Sequence, residues 1–213
     1  MTASTALTWY VARAGGLVAF ALLTVCVLLG LLLSGRARLA AWPRFALEDV
    51  HRFAGLLTGV FVVIHGAGLL LDGFMRFSLA DLLLPGVAPW RPLATALGIV
   101  AAQLLAALAI ANRYRSRLSY RFWRRTHYAN FAVWALALVH GIAAGSDSDT
   151  GWALLLYVVA AAAVAGLTVW RTIPSDEGSS LERAGYLVSG IASTERVTTT
   201  RAGERGAELR RPP

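Results

Sequence analysis

Five long apolar segments, separated by short polar or charged stretches, dominate the hydropathy pattern of the chain. A helix crosses the hydrocarbon core of a bilayer with about 20 apolar residues, because each residue advances about 1.5 Å. The pattern therefore predicts an all-α fold, an integral membrane bundle of five transmembrane helices. The segments cover about residues 8 to 33, 47 to 71, 93 to 112, 124 to 145 and 151 to 171.

The connection between the second and third segments, from Asp72 to Pro92, contains the short apolar stretch Leu79 to Leu84. A stretch of that length is too short to cross the bilayer. We expect it to rest in the membrane interface or to cap the bundle as a lid.

Charge is distributed unevenly between the segments, and all 20 basic residues are arginines. Arginine-rich connections normally stay in the cytoplasm. The distribution predicts a multi-pass plasma-membrane protein with its N-terminus outside and its C-terminus in the cytoplasm. The net charge of +8 suits membrane lipid better than nucleic acid, because the arginines form short clusters between apolar runs. The two cytoplasmic clusters are Arg36, Arg38 and Arg44, and Arg113, Arg115, Arg117, Arg121, Arg124 and Arg125.

After residue 172 the composition changes to Ser, Thr, Glu, Arg and Gly. Segments with little apolar content remain disordered because they cannot bury enough surface. We therefore expect a transmembrane bundle over residues 1–172 and a mostly disordered cytoplasmic tail over residues 173–213.

The four histidines form one pair in the second segment, His51 and His65, and one pair in the fourth, His127 and His140. Ionisable side chains are costly inside a membrane, and neutral imidazole is a common iron ligand. The two segments run in the same direction, so His51 and His127 lie near the cytoplasm while His65 and His140 lie nearer the outside. Opposed imidazoles at two levels about 20 Å apart would suit two stacked haems.

Helical phase adds a second expectation for the fourth segment. Fourteen steps of about 100° return His65 to the face of His51, whereas thirteen steps leave His140 about 140° away from His127. We expect local unwinding of the helix between His127 and His140, such as a π-bulge, or a haem that enters from another direction.

Two other readings of the histidines remain open. Each histidine could bond to a neighbouring helix in a cofactor-free structural protein, or the four could form a proton pathway. Proton relays usually include Asp or Glu, and the cores of these two segments contain neither.

The motifs around the histidines are His-Arg-Phe-Ala-Gly from His51, Val-Ile-His65, Trp-Arg-Arg-Thr-His127-Tyr and Val-His140-Gly. They resemble the ferric reductase-like transmembrane domain, which is shared by ferric reductases, NADPH oxidases and bacterial methionine sulfoxide reductase haem subunits. The resemblance covers about residues 10 to 172. It implies that His51 and His127 ligate an inner haem b, that His65 and His140 ligate an outer one, and that electrons move outward.

Three arginines are further candidates for cofactor binding. Arg13 resembles a family arginine near the haems, or it extends to the outer interface. Arg52 and Arg124 would pair with propionates of the inner haem, or they anchor the helices at the cytoplasmic surface. The haems would be bound without covalent attachment, because the one cysteine, Cys26, belongs to no C-x-x-C-H motif.

The expected function is transmembrane electron transfer by a di-haem cytochrome b, from a cytoplasmic donor to an outer acceptor. Full-length oxidases of the resembling family continue into flavin and nicotinamide domains, whereas the tail has no Gly-rich nucleotide fingerprint. We therefore expect a separate flavoprotein or a membrane quinol as donor. The alternative is a ferric reductase that acts directly at the outer haem edge, so the chain is either an oxidoreductase component or an electron-transfer subunit.

Overall fold

The computed structural model describes residues 3–34 and 43–173, and within these ranges the regular structure is entirely helical. Five helical segments are long and apolar enough to cross a membrane, which confirms the predicted all-α membrane fold. The linker with Arg36 and Arg38, and the predicted tail from residue 174 onward, lie outside the described residues. The helices are α1 (Ala3–Ser34), α2 (Arg44–Leu71), α3 (Leu79–Leu83), α4 (Pro92–Arg113), a 3-10 turn (Arg115–Arg117), α5 (Tyr120–Tyr128), α6 (Asn130–Ala144) and α7 (Gly151–Thr172).

Proline and serine residues set where several of these helices begin. Pro43 precedes α2 and Pro92 is the first residue of α4, where a missing backbone N–H costs nothing. The Ser119 hydroxyl accepts a bond from the Phe122 N–H and caps α5. The fourth span therefore consists of two helices, α5 and α6, which meet at Ala129.

Two helix pairs form the frame of the bundle: α1 packs along α2, and α4 packs against α6. At Gly68 an added Cβ would lie 2.7 Å from the backbone nitrogen of Ala12, so only glycine permits this approach of α1 and α2. Close packing at small residues is the usual means of association between membrane helices.

The core joins α1, α6 and α7 through aromatic side chains. The Phe20 ring lies 5.2 Å from the Tyr157 ring in an edge-to-face arrangement and 6.4 Å from the Trp134 ring. The Trp134 indole N–H donates to the Thr24 hydroxyl at 3.0 Å, which satisfies a polar group that would be costly to leave unpaired in the membrane. Thr58 and Val133 are almost completely buried.

The connection between α2 and α4 folds back over one end of the bundle. Its helix α3 begins with a reciprocal cap, in which Ser78 accepts from the Asp81 N–H and Asp81 accepts from the Ser78 N–H. At its far end, the Trp90 indole donates to the carbonyl of Ala144 and the Arg91 guanidinium to that of Ala143. These bonds fix the connection to the end of α6.

Candidate functional site

The structure brings the four histidines together in the two predicted pairs. The ring centroids of His51 and His127 are 6.2 Å apart with an angle of 62° between the ring planes. Those of His65 and His140 are 6.4 Å apart with an angle of 74°. Each pair joins α2 to the α5–α6 span, and the two pairs lie at different depths.

Backbone carbonyls orient three of the four imidazoles through Nδ1. His51 Nδ1 bonds to the carbonyl of Cys26 at 3.0 Å, His65 Nδ1 to that of Ala12 at 2.6 Å, and His140 Nδ1 to that of Ala94 at 2.8 Å. A carbonyl oxygen only accepts hydrogen bonds, so Nδ1 carries the proton in each ring. The lone pair of the neutral ring is then on Nε2, the atom free to bind a metal.

His127 is held differently from the other three. Within the described ranges, no carbonyl accepts a hydrogen bond from its ring. Its imidazole instead stacks on the Trp123 indole, with centroids 5.3 Å apart and 26° between the planes. The backbone carbonyl of His127 accepts a bond from the Asn130 side-chain amide at 2.8 Å.

The interruption at Ala129 lies between the two histidines of the fourth span, where a distortion was predicted. The Ala129 N–H bonds to the Thr126 carbonyl at 2.9 Å, three residues back instead of four. The predicted π-bulge is therefore wrong, because a π-bulge widens a turn whereas this turn is tighter than that of an α-helix. A 3-10 turn advances about 120° per residue, so it overwinds the span and closes part of the angular gap between His127 and His140.

A cavity of about 360 Å³ surrounds the pair formed by His65 and His140 and extends between α1, α2, α4 and α6. Its volume is in the range of small-molecule and cofactor sites. Part of the predicted lid contributes to it, since Leu82 of α3 lies on the cavity wall with Phe77 and Trp90 of the same connection. The short apolar stretch thus caps the cavity around His65 and His140.

Glycines make room for the imidazoles on neighbouring helices. A Cβ added at Gly98 would lie 2.7 Å from atoms of the His140 ring, and one at Gly16 would lie 3.0 Å from the His65 ring. A Cβ added at Gly30 would lie 3.4 Å from the His51 ring. The rings are therefore fixed by close contact on one side and by carbonyls through Nδ1.

Arg13 does not extend freely to the membrane surface. Both its Nε and its Nη2 donate to the carboxylate of Asp147, which is almost fully buried in the connection between α6 and α7. Arg13 and Asp147 both line the cavity around His65 and His140. The ion pair therefore joins the N-terminal half of α1 to the α6–α7 connection beside His140.

The other two predicted arginines lie at the surface. Arg52 is exposed and sits 3.9 Å from the carboxylate of Asp49 on the same helix. Arg124 is exposed and donates to the Tyr128 hydroxyl at 3.5 Å. Their pairing with a propionate stays a prediction.

Three residues contribute to the site without having been predicted as site residues: Asp147, Trp123 and Gly98. Trp123 precedes His127 by four residues, and this spacing places two side chains on one helical face, so the motif itself contained a signal. Asp147 stands with Asp149 in a short connection, and its sequence position did not indicate a contact with Arg13. Gly98 carried no signal, because its role depends on which helix packs beside His140.

The donor set of each pair fits an iron porphyrin. An imidazole nitrogen binds a metal ion at about 2.0–2.1 Å, so centroid distances of 6.2 and 6.4 Å would leave room for one metal ion between the two rings of each pair. A porphyrin would supply the further ligands that an iron ion held by only two imidazoles lacks. Among the described residues, no three His, Cys, Asp or Glu side chains are grouped to hold a metal ion by themselves.

Comparison with protein families gives one match, over residues 15–142, to the model described as ferric reductase like transmembrane component. The match spans more than half of the chain and includes all four histidines. Arg13, Asp147 and α7 lie outside it. Comparison with curated proteins and with solved structures finds no match.

Proposed function

The chain belongs to the ferric reductase like transmembrane component family, and from this we propose that it is a di-haem cytochrome b that moves electrons across the plasma membrane. The family supports a transmembrane electron-transfer or reductase role, and its domains generally bind haem. Two haems b, each held by two histidines without covalent attachment, are the finer proposal. His51 and His127 would hold the inner haem, and His65 and His140 the outer one.

One observation carries this proposal: the structure contains two imidazole pairs, with ring centroids 6.2 and 6.4 Å apart. A histidine that merely stabilises helix packing needs no second imidazole at metal-bridging distance. The carbonyl bonds at Nδ1 also leave Nε2 free on three of the rings, which is the usual outer-shell arrangement of metal-ligating histidine.

When bound, the haems supply one-electron redox chemistry, and the chain sets their position and environment. The 14-residue spacing on α2 separates the two ligand levels by about 21 Å along the helix axis. Between the two levels, the side chains of Thr58, Val133 and Trp134 are buried in the bundle. The chain thereby divides the membrane crossing into two shorter transfers.

We propose a cytoplasmic flavoprotein or a membrane quinol as the donor, with an acceptor on the outer side. The arginine-rich connection between α4 and α6 supports an acidic cytoplasmic partner, because a cluster of one sign steers and orients a partner of the other. Its six arginines, from Arg113 to Arg125, all lie within 13 consecutive positions. Membrane lipid of negative charge would contact the same surface.

Direct reduction of ferric ion at the outer haem edge is the second candidate, and the description of the matching family favours it. Reduction of a ferric chelate by purified protein with a defined electron donor would support this candidate. An electron-transfer subunit would reduce the chelate only slowly under the same conditions.

Optical difference spectra of histidine variants test the proposed function. We expect the wild-type protein to give a reduced-minus-oxidised haem b spectrum, and His65→Ala to lose the outer haem while it keeps the inner one. His51→Ala is the matched variant, since it should lose the inner haem and keep the outer. A colourless wild-type protein would contradict the proposal and favour a cofactor-free structural protein or a proton pathway.

A further inference from the structure

The inner histidine pair is asymmetric in how its two rings are oriented. His51 has a carbonyl bond at Nδ1, whereas the His127 ring, among the described residues, has no carbonyl partner and instead lies flat against the Trp123 indole. A metal-ligating histidine almost always has an outer partner that fixes its ring orientation. For His127, Trp123 is in the position of that partner.

Helix geometry alone brings Trp123 and His127 side by side, because they are four residues apart on α5. It does not by itself fix the angle of the indole, which contacts the Tyr120 ring on the same helix and two residues outside this helix. The indole N–H donates to the side-chain carbonyl of Asn112 at 3.3 Å. The Arg115 guanidinium lies over the indole ring, 5.6 Å from its centroid.

These contacts lock the indole between the end of α4 and the ring of His127. Asn112 belongs to the last turn of α4, and Arg115 to the 3-10 turn that follows it. The orientation of His127 is therefore coupled to the cytoplasmic connection between α4 and α5. A cation over the indole face strengthens this arrangement electrostatically.

We propose that Trp123 is the positioning residue of His127, and that it replaces by ring stacking the carbonyl bond that orients the other three histidines. This inference rests on the proposed function, because it concerns how the inner haem is held. It predicts that the inner site, unlike the outer one, depends on an aromatic ring at position 123.

The test uses a His65→Ala parent protein, which should retain only the inner haem. In this parent, Trp123→Ala should weaken retention of the inner haem by roughly 10-fold or more, the range for outer-shell substitutions at metal-bound histidine. Trp123→Phe keeps a flat ring and should restore retention. Trp170→Ala is the matched control, since Trp170 is an exposed tryptophan on α7 and should change nothing.

Electron paramagnetic resonance of the oxidised protein gives a second readout, because the g-values of a bis-imidazole haem respond to the angle between the two rings. Asn112→Leu frees the indole without removing it, so this variant should shift the g-values of the inner haem. Trp123→Ala in the otherwise wild-type chain should keep the outer haem, which shows that the bundle still folds.

The possible failures are distinguishable. If the His65→Ala parent has no haem signal at all, the proposed function fails and the inference fails with it. If the parent keeps its inner haem and Trp123→Ala keeps the same haem content and g-values as Trp170→Ala, the inference is wrong while the function stands.

Discussion

Gly98 faces the His140 imidazole so closely that a methyl group would lie 2.7 Å from ring atoms. We expect Gly98→Ala to displace this ring and to lower the outer haem content, while the inner haem stays. Haem content measured after purification, together with the spectrum of the remaining haem, checks the result. The matched control is Gly166→Ala on α7, where an added Cβ meets nothing within 4 Å.

If Gly98→Ala has the same outer haem content as the wild type, His140 binds its iron in another rotamer. A loss of both haems in this variant would indicate a general packing defect and would contradict a local effect on His140.

The pair formed by Arg13 and Asp147 gives a second prediction at this scale. Arg13→Met leaves the nearly buried Asp147 carboxylate without its partner, which should destabilise the fold by about 2 kcal/mol, less than a fully buried pair because Arg13 is one-third exposed. Thermal unfolding in detergent measures the change. Asp147→Leu added to Arg13→Met should recover much of the loss.

Asp149→Asn is the control for this experiment, because Asp149 is an exposed acid in the same connection. Additive losses in the double variant would contradict a direct pair, since coupled residues show non-additive effects.

The sequence predicted the four histidines and their pairing but not the groups that orient them. Histidines inside apolar segments stand out because ionisable groups are costly there. The carbonyls of Ala12, Cys26 and Ala94 carry no sequence signal, since every residue has a carbonyl group. Their role appears only when α1 and α4 are packed beside the histidine-bearing helices.

At the scale of helices, the ends of all five spans were predicted to within a few residues, because charge and hydropathy change sharply there. Unwinding of the fourth span was predicted from the 13-residue spacing, whereas the structure has a tighter turn at Ala129. The choice between a tightened and a widened turn was not predictable, since it depends on local bonds. Here the Asn130 side-chain amide donates to the His127 carbonyl beside the tight turn.

The cap of α3 should respond to pH. Both the hydroxyl and the backbone N–H of Ser78 bond to the Asp81 carboxylate and hold its pKa below the ordinary value of 3.8. A lowered pKa stabilises the cap above about pH 4, and this contribution is lost as the pH falls through the lowered pKa. Ser78→Ala should raise the midpoint of the Asp81 titration, followed by nuclear magnetic resonance.

A midpoint that stays the same in Ser78→Ala would show that the Ser78 hydroxyl does not stabilise the ionised carboxylate. In that case the lid over the outer cavity would be held by its apolar contacts and by the bonds at Trp90 and Arg91.

At the scale of the whole molecule, the arginine distribution predicts that the connection after α4 is cytoplasmic and the connection after α6 is outside. Labelling of intact cells with a membrane-impermeant maleimide tests this orientation. In a Cys26→Ala background, Asp149→Cys should react from outside and Ser116→Cys only after the membrane is opened. The reverse pattern would invert the proposed direction of electron flow.

The bundle as a whole was less predictable than its parts. The second and fourth spans were expected to run in the same direction, and this placed the histidines at two levels. Which helices line the cavity around His65 and His140 was not predictable, because apolar membrane helices present similar surfaces to lipid and to each other. Only the structure shows that α1, α4 and the α2–α4 connection enclose this pair.

The most direct measurement is the haem content of the purified wild-type protein, determined as pyridine haemochrome against protein concentration. Two histidine pairs at metal-bridging distance predict two haems b per chain, both low-spin when oxidised. A protein that carries no haem, or that binds only one haem unaffected by substitution of either pair, would contradict ligation by these four histidines.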